Sequence, residues 1–209
     1  MNEELKNKLL AWVINAIRNT DPKYYKAFNY VLYERIFCYE FYHQLRIQQE
    51  SLNENFLISG LSDVLVSGEL GKKIENNLDR IRDVFVGEEK IKDREYEKFP
   101  DFVFHGGLED TKEEKQLMVI EVKRKSGITN ESLKNDIRKL ITLTNEKNLK
   151  FQIGLFIAVG MTRCELKEEL KKLEEDVLSC PHFDKIYFIA TEDIIAVEKY
   201  CICIKDILT

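Results

Sequence analysis

Lys98-Phe99-Pro100-Asp101-Phe102-Val103-Phe104-His105 and Leu117-Met118-Val119-Ile120-Glu121-Val122-Lys123-Arg124-Lys125 are the two runs around which the chain is organised. Leu117 to Ile120 is continuously apolar and bounded by charge on both sides. That pattern predicts a strand buried on both faces near the middle of a sheet. Residues two apart in a strand point the same way, so Glu121 and Lys123 share a face, with Leu117 and Val119 behind them. A carboxylate and an ammonium at the end of a core strand are costly to bury without partners. Phe99 to Phe104 reads as a second strand, and the loop containing Gly106-Gly107 turns it back antiparallel. The hairpin brings Asp101 beside Glu121, so two carboxylates and one lysine meet at one point.

Such a cluster has a chemical use. Hard divalent cations such as Mg2+ are held by a few carboxylates and keep several waters. A metal held there activates water and stabilises a leaving oxygen, and a lysine beside it orients the water or offsets charge on a phosphoryl oxygen. Glu-x-Lys alone says little in this chain. It recurs at Glu4/Lys6, Glu88/Lys90, Glu113/Lys115, Glu165/Lys167 and Glu169/Lys171, in polar or helical-looking segments where a solvated face accounts for it. Only Glu121/Lys123 closes a buried-strand pattern behind a Pro-Asp strand. The alternative is an ordinary strand end with surface charges.

Pro100-Asp101, a hairpin and then Glu121-x-Lys123 resembles the signature of the PD-(D/E)XK nuclease superfamily, across roughly residues 22 to 190. The resemblance puts the motif's aspartate on Asp101, its acidic residue on Glu121 and its lysine on Lys123. It implies a restriction-endonuclease-like α/β core: a helix, a three-stranded meander, a helix and a strand. The expected architecture is a central mixed four- to five-stranded sheet flanked by helices, with an extra N-terminal helix. It further implies a metal-dependent hydrolase, an endo- or exonuclease that cuts nucleic-acid phosphodiesters with Mg2+ or Mn2+, with DNA as the binding partner. Members often carry an active-site glutamate on the first core helix. Glu40 is the candidate for this further catalytic and metal-binding residue, with Glu34 as its rival. A glutamate paired with Arg35, His43 or Gln44 is the plain alternative.

Composition bounds the rest. A chain of 209 residues with 44% hydrophobic and 33% charged residues fits one soluble domain. Residues 1–21 form a helical appendage, and the nuclease-like core spans roughly 22–190 of the single 1–209 domain. No apolar run is long enough for a membrane span, and Met1-Asn2-Glu3-Glu4 lacks the basic start of a signal peptide. A cytoplasmic protein with no membrane association is expected. The five cysteines, Cys38, Cys164, Cys180, Cys201 and Cys203, read as reduced thiols, mostly in apolar segments. Cys180-Pro181-His182 has no matching second pair for a zinc site. A formal charge of −5 disfavours strong nonspecific nucleic-acid binding. A local basic site remains open, with Lys123, Arg124 and Lys125 as one group and Lys134, Arg138 and Lys139 at helical spacing as another. An acidic chain acting on DNA would gain contact surface from a homodimer or a protein partner. A noncatalytic nuclease-fold module is the competing reading.

In chain order, residues 3 to 18 show helical spacing. Asp21-Pro22 is a helix start, Asp21 as cap and Pro22 at the first position, opening an aromatic helix to about Gln49. Val64 to Leu70 and Phe56 to Ser59 hold at least one strand. Glu69 lies just upstream of the hairpin, where a surface position is the plain reading. Lys72 to Val86 has helical spacing, and Gly87 to Lys98 is charged. Thr129 caps a helix through about Asn145. Phe151 to Val159 is a core strand ended by Gly160, parallel to the Glu121 strand through a crossover. Thr162 to Leu178 reads as a charged amphipathic helix and Lys185 to Ala190 as a strand. Val197 to Ile204 has no clear assignment.

Overall fold

The computed structural model describes residues 3–24, 34–51, 61, 64–68, 100–106, 116–145, 150–173, 183–192 and 202–203. The expectations for Phe56–Ser59, Glu69, Lys72–Lys98 and Cys180-Pro181-His182 lie outside them. Helix α1 spans Glu3–Asn19 and α2 spans Glu34–Ser51. Strands β1 (Leu65–Gly68), β2 (Phe102–His105) and β3 (Gln116–Arg124) follow. Then come α3 (Asn130–Thr144), β4 (Ile153–Val159), α4 (Arg163–Leu170), β5 (Ile186–Ala190) and β6 (Ile202–Cys203).

The strands form one mixed sheet in the order β1-β2-β3-β4-β5-β6. Neighbours β1/β2 and β2/β3 are antiparallel, β3/β4 and β4/β5 parallel, and β5/β6 antiparallel. Five strands of four residues or more agree with the expected mixed sheet; the two-residue β6 adds a sixth at the edge, within the stretch whose pattern assigns no element. The interior place of β3 explains its apolar run. Leu117 to Val122 are all buried because β2 and β4 cover both edges and helices cover both faces.

Alternation splits the core in two. Phe102, Phe104, Met118, Ile120, Val122, Ile153, Leu155 and Ile157 face α1 and α2. Val103, Val119, Phe156, Ala158, Ile186 and Phe188 face α3 and α4. The first layer is aromatic. Phe41 meets Phe102 edge-on at 5.3 Å and Trp12 meets Phe104 edge-on at 5.2 Å, while Phe37 stacks on Phe41 at 5.7 Å. Each such pair contributes about 0.5–1.5 kcal/mol beyond area burial.

Local signals hold at the helix starts. Thr129 caps α3 reciprocally with Ser132, and Thr162 caps α4 reciprocally with Glu165. The Lys23 N–H donates to Asp21 Oδ1 at 3.0 Å, as expected of a cap. Two helix expectations are corrected. Pro22–Tyr24 forms a single 3-10 turn, while α2 is described from Glu34, and 25–33 lie outside the described residues. Helix α4 stops at Leu170 rather than Leu178, with turns through 173. Leu166 and Leu170 are its buried residues, Leu173 in the following turns is buried with them, and 174–178 lie outside the described residues.

Gly154 sets how closely α3 sits on β4. A Cβ there would stand 2.6 Å from Ile186 Cδ1 and 3.2 Å from Leu140 Cβ. Its absence lets α3 lie close over the sheet and carries the polar residues on the helix toward the end of β3. Among the described residues, no helix is long and apolar enough to cross a membrane.

Candidate active site

The hairpin register decides which side chains meet. Phe102 is opposite Ile120 and Val103 is opposite Val119, so Asp101 falls opposite Glu121. Asp101 stands just ahead of β2, where its carboxylate takes over from the ladder: the Val122 N–H donates to Asp101 Oδ2 at 2.7 Å. Glu121 is 5% exposed and projects with Val119 toward α3. Lys123 follows two residues later on the same face. The expected grouping of Asp101, Glu121 and Lys123 is therefore present, at the end of the sheet where β3 leaves and β2 enters.

Helix α3 supplies two residues that the sequence does not place there. Lys139 Nζ lies 2.6 Å from Glu121 Oε1, and Lys123 Nζ lies 3.4 Å from Asp136 Oδ2. Asp136 and Lys139 are three apart and share a helix face. Each precedes a buried residue, Ile137 or Leu140, at the margin of the apolar stripe. That position is the available signal: a polar group at the edge of a core-facing stripe points along the sheet surface rather than into water. Helical spacing groups Lys139 with Lys134 and Arg138 as a basic face, but in the folded chain it is the ion partner of the motif glutamate.

The first-helix glutamate also differs. Glu34 Oε2 accepts the Arg124 N–H at 2.9 Å, and Glu34 acts electrostatically on both Asp101 and Lys123. Glu40, the sequence candidate, instead accepts from Gln44 Nε2 at 2.8 Å, the plain pairing named for it. Six residues of helix advance about 9 Å and turn about 240°, so Glu34 and Glu40 cannot serve one point. The structure brings the rival glutamate to the cluster and leaves Glu40 on the half-exposed side of α2.

Burial governs the charges. It raises the Asp101 carboxyl to about 6, against the Val122 N–H and the Lys139 charge, which lower it. Burial pushes Glu121 to about 8, against Lys139, and Asp101 and Asp136 push the same way as burial. Burial by itself would lower Lys123, but Asp136, Glu34 and Asp101 outweigh it and hold the ammonium above its ordinary range. Counting formal charges, Asp101, Glu121, Glu34 and Asp136 give four negatives and Lys123 and Lys139 two positives. With Glu121 protonated, as burial favours at neutral pH, the excess falls from two negative charges to one.

Two of the carboxylates, once ionised, present oxygens of the kind that a hard divalent cation would take. Glu121 Oε1 and Asp136 Oδ2 are buried, and each faces an ammonium, Lys139 at 2.6 Å and Lys123 at 3.4 Å. Among the described residues, no three His, Cys, Asp or Glu side chains form a complete metal cage. An ion here would therefore rest on two carboxylates, Asp101 and Glu121, and keep waters, as Mg2+ does. The basic residue Lys125 is engaged with Glu165 at 2.6 Å on the surface beside the site. No protein-family model, curated protein or solved structure matches the chain.

Proposed function

We propose that this chain is a metal-dependent nuclease of the PD-(D/E)XK kind, hydrolysing nucleic-acid phosphodiesters, with DNA as the substrate that the resemblance implies. The observation that carries the reading is the facing of Asp101 and Glu121 across the β2/β3 hairpin, with Lys123 two residues on. Among the described elements the order α2, β1, β2, β3, α3, β4 is compatible with the helix, meander, helix and strand that the resemblance implies.

In this reading Asp101 and Glu121 hold Mg2+ or Mn2+, and Glu34 stands at the rim in the place that the sequence assigns to Glu40. The metal, when bound, supplies Lewis-acid polarisation of the phosphate and a more acidic water. The Val122 N–H fixes the Asp101 carboxylate in place, so the ligand set is preorganised. Lys123, steadied by Asp136, positions the attacking water and offsets charge on the phosphate oxygens. Burial of both carboxylates keeps the electrostatic interactions strong by excluding water.

A second reading has one specific observation in its favour. The pairs Glu121–Lys139 and Lys123–Asp136 satisfy much of the charge internally, as they would in a noncatalytic module that binds a protein or nucleic-acid partner. The two readings separate in one assay. The purified protein is incubated with single- and double-stranded DNA and RNA, in Mg2+, Mn2+ or chelator, beside folded Asp101→Ala and Lys123→Ala variants. Metal-dependent cleavage lost in both variants supports the nuclease. Absence of cleavage and of metal binding in the native protein leaves the binding module.

A further inference from the structure

Lys139 stands where the proposed metal would act. Its Nζ is 2.6 Å from Glu121 Oε1, and its side chain is only 19% exposed. The ammonium pairs with the carboxylate whenever Glu121 is ionised. A divalent cation held by Glu121 would need the same oxygen. An ammonium and a divalent cation on one oxygen repel each other strongly in a partly buried site. The displaced ammonium has a destination. Asp136 lies one helical turn back on the same face of α3, and its buried Oδ2 faces Lys123 at 3.4 Å, the longer of the two ion pairs.

We infer that Lys139 is an internal counter-cation that occupies Glu121 in the metal-free protein and must move toward Asp136 when a divalent cation binds. The inference rests on the metal-site reading given above. It makes Lys139 a positioning residue that sets the cation concentration at which the site fills. It also accounts for the internally satisfied charges that would otherwise favour a noncatalytic module. The metal-free protein neutralises part of its own site, and the site is exposed to substrate chemistry only when a cation outcompetes the lysine.

The test is Mn2+ binding by calorimetry and by the loss of free Mn2+ paramagnetic signal, on the full chain with no nucleic acid present. Lys139→Met removes the ammonium and keeps the stem. Lys139→Gln is a second variant in case the first does not fold. Arg138→Met removes the same charge from the neighbouring exposed position, and Asp101→Asn removes a proposed ligand. The expected result is binding about tenfold tighter in Lys139→Met, the ratio that about 1.4 kcal/mol of lost competition corresponds to, with Arg138→Met within about twofold of native. Binding in Lys139→Met but none in the native protein would support the inference more strongly. Native binding that depends on Asp101, with the Lys139 variants no tighter, overturns the counter-cation and leaves the metal site standing. Equal tightening in Arg138→Met reduces the effect to net charge and overturns it too. Absence of binding in every variant overturns both the inference and the metal reading.

Discussion

Replacing Glu121 with Gln should change the pH dependence of stability more than stability itself. In the folded, metal-free protein burial raises the Glu121 carboxyl from an ordinary 4.5 to about 8. The folded state therefore binds a proton that the unfolded chain has released. Stability from this group is fully present below about 4.5 and is lost as pH rises to about 8, because the unfolded chain ionises first. Between pH 5.5 and pH 8.5 those two values give a loss of roughly 3 kcal/mol, since each tenfold difference in proton affinity between the two states corresponds to about 1.4 kcal/mol. A glutamine of the same shape has no proton to exchange. Urea denaturation in chelator-treated buffer at the two pH values, for both proteins, measures the difference directly, with m-values compared to establish a common unfolding reaction. The wild type should lose about 3 kcal/mol more than Glu121→Gln between the two pH values. The Lys139 interaction acts on the ionised carboxylate and is already contained in the raised value of Glu121, so it belongs to the difference that is measured. Parallel pH profiles, within about 0.5 kcal/mol, would refute the claim that burial raises the titration of Glu121 in the metal-free site.

At pH 8 a divalent cation should reverse that loss. Mg2+ or Mn2+ at one hundred times its dissociation constant should stabilise the native protein by about 2.7 kcal/mol and release protons, seen as a buffer-dependent binding enthalpy; Asp101→Asn should abolish both. Lys123→Ala should cut cleavage by about a hundredfold or more while leaving cation affinity within a few-fold, since the lysine acts on water and phosphate rather than on the metal; equal loss of binding and cleavage would reassign it. Glu34→Gln should weaken Mn2+ binding and cleavage, whereas Glu40→Gln should change neither by more than about twofold. Gly154→Val should destabilise the fold by several kcal/mol, because the added side chain meets Ile186 and Leu140 at once; an unchanged thermal midpoint would contradict the close approach of α3 to β4.

The sequence determined what depends on neighbours along the chain. The apolar run Leu117 to Ile120 requires a strand covered on both faces, and period-two alternation puts Glu121 and Lys123 on one side of it. The caps Thr129 and Thr162 mark where α3 and α4 begin, because a side-chain oxygen three residues from an N–H is a local matter. The pairing of the two strands is legible as a hairpin, whereas the register that sets Asp101 opposite Glu121, beyond a shift between Phe104 and His105, belongs to the folded sheet. The tertiary structure decided what depends on how distant elements dock. On the sequence, Glu34 and Glu40 are two carboxylates on one helix with nothing to choose between them but neighbours. The choice follows from where the start of α2 meets the end of β3, and there it is Glu34 that caps the Arg124 N–H. Asp136 and Lys139 look like solvated helix charges until the bare backbone of Gly154 brings α3 down onto the sheet. Charges at the margin of an apolar stripe have no local signature of partnership. Their partners come from another element, and only the packing of one layer on another names them.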